Sequence, residues 1–264
     1  MVDRRLSNAG ACAIIHTFGW NDAAGLCFWW DFSMALGFTG MAMMCVQFLL
    51  TARFPFVNDV FGIDIIYYFH RYLALMAISL IILHILIIRI NYAEVFRSID
   101  FWRTPWEMTA ALISTVLFML LIASSLWRKI FRIHYEAWRM LHIGLAIAAA
   151  LLALWHIEGV GYYVDVPLKH WLWHGYTLFL ISVVIYVRII KPWQMYRKPY
   201  RITEIRQERG NCWTLALKPD GHQGMRFKPG QFAWLTLRAS PWHIKEHPFS
   251  FSSSPSLQGR LEFT

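Results

Sequence analysis

Five stretches of the chain, 32–52, 72–88, 109–127, 141–157 and 170–187, contain no Asp, Glu, Lys or Arg. Each is close to the roughly 20 apolar residues that a helix needs to cross a bilayer core. The pattern predicts five membrane-spanning helices. From about residue 200 the texture changes to short mixed runs. Residues 200–207 and 212–218 flank a turn containing Gly210-Asn211. Pro219-Asp220-Gly221 and Lys228-Pro229-Gly230-Gln231 mark further turns before the run 232–238. Runs 247–254 and 260–264 follow, separated by a turn over 255–259. About five strands are expected, as in a small antiparallel barrel or sandwich that stops in mid-strand. The expected fold class is a mainly α membrane protein, a multi-span helical bundle followed by an incomplete antiparallel β-barrel. The expected domains are an N-terminal segment 1–25, a transmembrane domain 26–192 and a partial barrel 193–264.

Composition agrees with this reading. Hydrophobic residues make up 57% of the 264-residue chain and charged ones 16%, against about 25% charged in soluble domains. Intrinsic disorder is excluded and a simple soluble globule disfavoured. The net charge of +9 points to membrane topology rather than nucleic acid, because the Lys and Arg residues sit at span ends. Arg128, Lys129, Arg132 and Arg139 lie between the third and fourth runs; Arg188, Lys191, Arg197, Lys198 and Arg201 follow the fifth. Glu158, Asp165 and a single Lys169 lie between the fourth and fifth. The positive-inside rule then puts the C-terminal region in the cytoplasm and the loop between the fourth and fifth runs outside. Arg4 and Arg5, and Arg89, Arg97 and Arg103 in the loop between the second and third runs, fit that alternation less well. Residues 1–10 are polar and do not read as a signal peptide. Cys12, Cys27, Cys45 and Cys212 have no CxxC spacing, which argues against a disulfide framework, a zinc site or an iron–sulfur site. A Cys12–Cys27 bridge is possible but not favoured.

Four histidines carry the strongest chemical signal. His70 and His84 stand in or just before the second run, and His142 and His156 in the fourth, fourteen residues apart in both cases. Fourteen steps of about 100° fall ~40° short of four turns, so both members of a pair share one helix face, about 21 Å apart along the axis. The second and fourth runs cross the membrane in the same direction. His70 can therefore meet His142 near the cytoplasmic side, and His84 can meet His156 near the outer side. Two stacked bis-imidazole sites suit haem iron held on both axial positions. A single intramembrane histidine is as often a hydrogen-bonded core residue. Zinc fits poorly because no Cys or carboxylate accompanies the pairs, and a proton relay would need carboxylates that the runs lack. His174 reads as structural or near the outer surface. His16, His134, His170, His222 and His243 read as loop residues, and Trp29, Trp30, Trp155, Trp171 and Trp173 as an aromatic belt. Arg71 and Arg139 are candidates for pairing with haem propionates, although solvated helix-end charge explains them as well.

The histidine spacing resembles both the quinol-oxidising cytochrome b of respiratory complexes and the transmembrane domain of ferric reductases and NADPH oxidases. The tail chooses between them. Lys228-Pro229-Gly230-Gln231-Phe232, followed by His247-Pro248-Phe249-Ser250-Phe251-Ser252-Ser253, resembles the flavin-binding barrel of the ferredoxin reductase-like superfamily. Arg53-Phe54-Pro55 and His134-Tyr135-Glu136-Ala137-Trp138 also resemble the ferric reductase family. The chain is thus similar to bacterial ferric reductase/NADPH oxidase-like flavocytochromes. That resemblance implies two b-type haems on His70, His84, His142 and His156, and FAD contacts at His247, Pro248, Phe249 and Ser250, with Ser252 and Ser253 nearby. It further implies electron transfer from cytoplasmic NAD(P)H through FAD and the haems to an external ferric chelate or dioxygen, in a bacterial cytoplasmic membrane. The family pattern has a further first helix and a nicotinamide-binding domain with a Gly-rich loop, neither of which is seen, so the chain reads as truncated and as a weak holder of FAD. A haem-only subunit serving a partner or quinol, and an ion transporter, remain as alternatives.

Overall fold

The structure, a computed structural model, describes residues 23–54, 61–93, 104–161, 164, 167–237, 246–257 and 259–264, and for 23–27 the backbone alone. The N-terminal arginines, Cys12, His16, Pro55, Arg97, Arg103, Asp165 and His243 lie outside the described residues, and with them the proposed Cys12–Cys27 bridge. Cys45 and Cys212 are free thiols. Two compact units divide at Val183 and Val184.

The first unit contains α1 (Ala23–Thr51), α2 (Ile63–Asn91), α3 (Trp106–Leu126), α4 (Tyr135–Val160) and α5 (Pro167–Ile185). Among the described residues, five helices are long and apolar enough to cross a membrane, one for each charge-free run. They extend beyond those runs because their terminal turns hold polar groups: Asp64 and Arg89 on α2, Glu107 on α3 and Glu136 on α4. Prolines start two of them. Pro105 caps α3, and Pro167 occupies the first position of α5, where a missing N–H leaves no intrahelical bond unmade. Gly161 ends α4 in a left-handed conformation at φ 71°, which a residue without Cβ adopts freely. At most 28% of any span's most apolar window is buried inside the protein. Large side chains such as Val116, Leu120, Leu178 and Ile185 point outward, the arrangement expected where lipid rather than water is the solvent.

α1 packs along α2, α3 packs along α4, and α1 also touches α4. Small residues let these helices approach closely. A Cβ on Gly40 would stand 2.8 Å from the Ile81 side chain. Ser114 Oγ donates to the Ala149 carbonyl at 2.8 Å, tying α3 to α4. Such interhelical bonds average about 0.6 kcal/mol in a membrane. His170, read from sequence as a loop residue, lies in the first turn of α5, because Pro167 starts that helix before it.

The second unit contains a π turn at Tyr186–Ile190 and α6 at Lys191–Tyr196. Among the described residues five strands follow: β1 (Tyr200–Gln207), β2 (Trp213–Pro219), β3 (Phe232–Leu235), β4 (His247–Ser250) and β5 (Leu261–Phe263). They form two antiparallel sheets, β1-β2-β5 and β3-β4, linked by a bridge between Phe251 and Phe263. Among the described residues the sheets are antiparallel, as expected, and do not close into a barrel. A bulge between Ile202 and Glu204 breaks the β1–β2 register. The core is Leu217, Leu261 and Phe263, with Tyr200, Phe227, Ala233, Leu235 and Phe251 packed against it. Burial raises the Tyr200 phenol pKa, and hydrogen bonds from Arg206, then Thr214, hold the exposed Glu208 carboxyl below its usual value.

Candidate functional site

The four histidines meet in two pairs across α2 and α4. The His70 and His142 rings lie 6.2 Å apart between centroids, inclined at 64°. Two imidazoles gripping one metal from opposite sides stand about 6 Å apart, given metal–nitrogen bonds of roughly 2.0–2.1 Å. At the other end His84 and His156 line one cavity with about 780 Å³ of empty space, its open mouth included. Its wall is mostly apolar and includes Gly37, Met41, Ala111, Ser114, Phe118 and Ala153.

The outer helices hold the rings. His84 Nδ1 lies 2.8 Å from the Ser33 carbonyl oxygen, and Ser33 Oγ donates back to the His84 carbonyl at 3.0 Å. His156 Nδ1 lies 3.0 Å from the Glu107 carbonyl oxygen. A carbonyl can only accept, so both Nδ1 atoms carry the proton. His142 Nδ1 lies 3.1 Å from Ser125 Oγ. The Ser125 hydroxyl proton is already donated to the Leu121 carbonyl at 2.6 Å, so here too the ring donates. In these three histidines Nε2 keeps its lone pair, the state that a metal-binding imidazole needs. The Gln47 amide reaches the fourth, 2.6 Å from His70 Nδ1 and 3.2 Å from its carbonyl. With its oxygen toward the ring, Gln47 can accept an Nδ1 proton, but that oxygen then also faces the His70 carbonyl and the amide nitrogen faces the Ala74 N–H. With its nitrogen toward the ring, it donates to both His70 atoms and its oxygen takes the Ala74 N–H. Iron ligation requires the first orientation.

Two glycines make room for these contacts. A Cβ on Gly37 would meet the His84 ring at 3.2 Å. A Cβ on Gly159 would meet the Trp106 ring and come within 2.8 Å of Glu107 Cβ, so that glycine lets α3 bring the Glu107 carbonyl to His156. Gly159→Ala is therefore expected to displace that carbonyl and weaken haem retention at the His84/His156 pair about 10- to 100-fold, the usual effect of losing a ligand's outer partner. Haem titration of apo-protein measures this; unchanged affinity would mean that the tether is unimportant.

The Trp138 ring lies 5.1 Å from the His142 ring, tilted at 43°. Its indole Nε1 is buried and without an acceptor among the described residues. Arg128 lies 5.7 Å over the same indole. An orphaned donor beside a guanidinium suits a carboxylate on a bound group. Arg71 instead lies 5.9 Å over the Tyr72 ring. The sequence had no signal for Ser33, Gln47, Ser125 or the Glu107 carbonyl as partners.

In the second unit, the two tail motifs pair directly. Lys228-Pro229-Gly230-Gln231 forms a turn with Gly230 at φ 82°, closed by Gln231 N–H to the Lys228 carbonyl at 3.2 Å. It leads into β3, which pairs with β4 in the register Phe232↔Ser250, Ala233↔Phe249, Trp234↔Pro248 and Leu235↔His247. His247, Pro248, Phe249 and Ser250 are all exposed. Strand alternation sends His247 and Phe249 to one face, Pro248 and Ser250 to the other. Ser252 Oγ accepts from Thr264 Oγ1 at 3.0 Å. Ser253 is buried, its Oγ accepting the Glu262 N–H at 3.1 Å. These two hydroxyls brace the neighbouring strand.

No curated protein matches the chain. Residues 36–153 match the family model described as ferric reductase like transmembrane component, a stretch that includes His70, His84 and His142 and stops just before His156. This match supports a ferric reductase-like transmembrane domain, and with it an oxidoreductase role in electron transfer across a membrane.

Proposed function

We propose that the bundle holds two b-type haems, one between His70 and His142 and one between His84 and His156, and conducts electrons across the membrane. The observation that supports this most is the commitment of three Nδ1 protons to neighbours on α1 and α3, which leaves Nε2 its lone pair in each of those rings. Haem iron supplies reversible one-electron chemistry when bound. The chain's part is to hold the rings in the ligating tautomer and to keep water out with apolar side chains, with His70, His142, His84 and His156 as the residues that would hold the haems. An external ferric chelate or dioxygen is the electron acceptor that this reading would imply. Trp138 Nε1 and Arg128 would anchor a propionate at the His70/His142 end.

In the same reading, the surface around β4 takes FAD, which converts the two electrons of NAD(P)H into single ones. His247, Pro248, Phe249 and Ser250 are the candidate contacts. The basic residues that follow α5 support a cytoplasmic second unit, and the His84/His156 pair then lies toward the outside.

Liposomes that contain the haem-loaded protein and trapped ferricyanide test the conducting role. Dithionite added outside is expected to bleach the trapped ferricyanide in a protein-dependent way, and the His70→Ala protein is expected to lose this. Bleaching no faster than in empty liposomes would overturn the proposal.

A further inference from the structure

Glu158, His170 and His174 meet at the end of the bundle that carries His84 and His156. We propose that they form a separate binding site for a first-row transition-metal cation. His170 and His174 are four residues apart on α5, so their rings share one helix face, with centroids 4.1 Å apart. Glu158, from the last turn of α4, reaches both, with Oε1 3.0 Å from His174 Nδ1 and Oε2 3.9 Å from His170 Nδ1. One ligand atom from each residue lies within 4.8 Å of the others. Metal–nitrogen and metal–oxygen bonds of about 2.0–2.2 Å span such a triangle after small side-chain rotations.

The donor set indicates the class of ion. Two imidazoles and one carboxylate suit zinc, ferrous iron, cobalt or nickel, whereas calcium and magnesium prefer oxygen donors. Both histidine side chains are 47% exposed and Glu158 is 25% exposed, so an ion can enter from water and keep water ligands. Glu158 lies only two residues beyond His156, about 3 Å further along the helix axis. If the proposed electron path holds, a ferric acceptor reduced at this end of the bundle would find here donors that suit its ferrous product. Metal binding itself does not depend on that path.

Calorimetric titration of zinc into detergent-purified protein without a histidine tag tests the site. The expected result is one ion per chain with micromolar affinity, weakened at least about 100-fold in His170→Ala/His174→Ala, since losing a direct ligand exceeds the 10- to 100-fold effect of losing an outer partner. Glu158→Gln can still accept the His174 hydrogen bond, so it keeps the α4–α5 contact while removing the charge; its affinity should fall too. Size-exclusion elution and helical circular dichroism show whether each variant is folded. No zinc binding below millimolar concentration, or wild-type binding by the folded double variant, overturns the proposal. Because zinc uptake is read without regard to haem content, a colourless protein that still binds zinc would contradict the haem reading alone.

Discussion

His84→Ala, purified from cells supplied with haem, is expected to carry one haem per chain where the unaltered protein carries two. The two pairs are separated by about four helical turns and share no ligand. Removing one imidazole should therefore empty its own site and leave the His70/His142 site intact. His142→Ala should give the same count with the opposite haem retained, and the double variant should be colourless. His134→Ala is the control, because His134 caps α4 outside both pairs and should leave two haems. Pyridine haemochrome absorbance against protein mass gives the ratio. A ratio of two that survives His84→Ala would show that this residue is not a ligand.

Gly37→Val should produce a similar loss without touching any ligand. A Cβ at position 37 would already crowd three atoms of the His84 ring, at 3.2–3.3 Å, and valine adds two methyl groups in the same direction. Over-packing of this kind typically costs about 1–3 kcal/mol. That corresponds to roughly 5- to 150-fold weaker haem binding at one site, given a factor of ten per 1.4 kcal/mol. Gly175→Val is the matched control on α5, where a Cβ meets nothing within 4 Å. Haem titration of the apo-proteins, resolved by site through their redox potentials, should show loss at the His84/His156 pair alone. Equal loss at both pairs would instead indicate general misfolding of the bundle.

The sequence made the coarse plan readable because lipid imposes it. A charge-free run of this length has few alternatives to a spanning helix, and the five runs became α1 to α5. The fourteen-residue spacing was also sufficient to place His70 against His142, and His84 with His156 on one cavity. What surrounds the rings was not readable. Ser33, Ser125 and Gln47 are ordinary polar residues in their own helices, and Glu107 contributes a backbone carbonyl that any residue could supply. Their meaning depends on which helix lies beside which. The same holds for Glu158, whose relation to His170 and His174 crosses two helices, although the i, i+4 histidine pair was visible in the sequence. In the tail, the turns at Gly210-Asn211 and Pro229-Gly230 located the strands. Local turn chemistry does not specify sheet partners, so the division into β1-β2-β5 and β3-β4 had no sequence signal.

The ligation state of the iron tests the central claim most directly. Electron paramagnetic resonance of the oxidised, purified protein should show two low-spin ferric haems per chain, and carbon monoxide should leave the reduced optical spectrum unchanged because both axial positions are taken. Protein that stays colourless after haem supplementation, or high-spin iron that binds carbon monoxide, would contradict it.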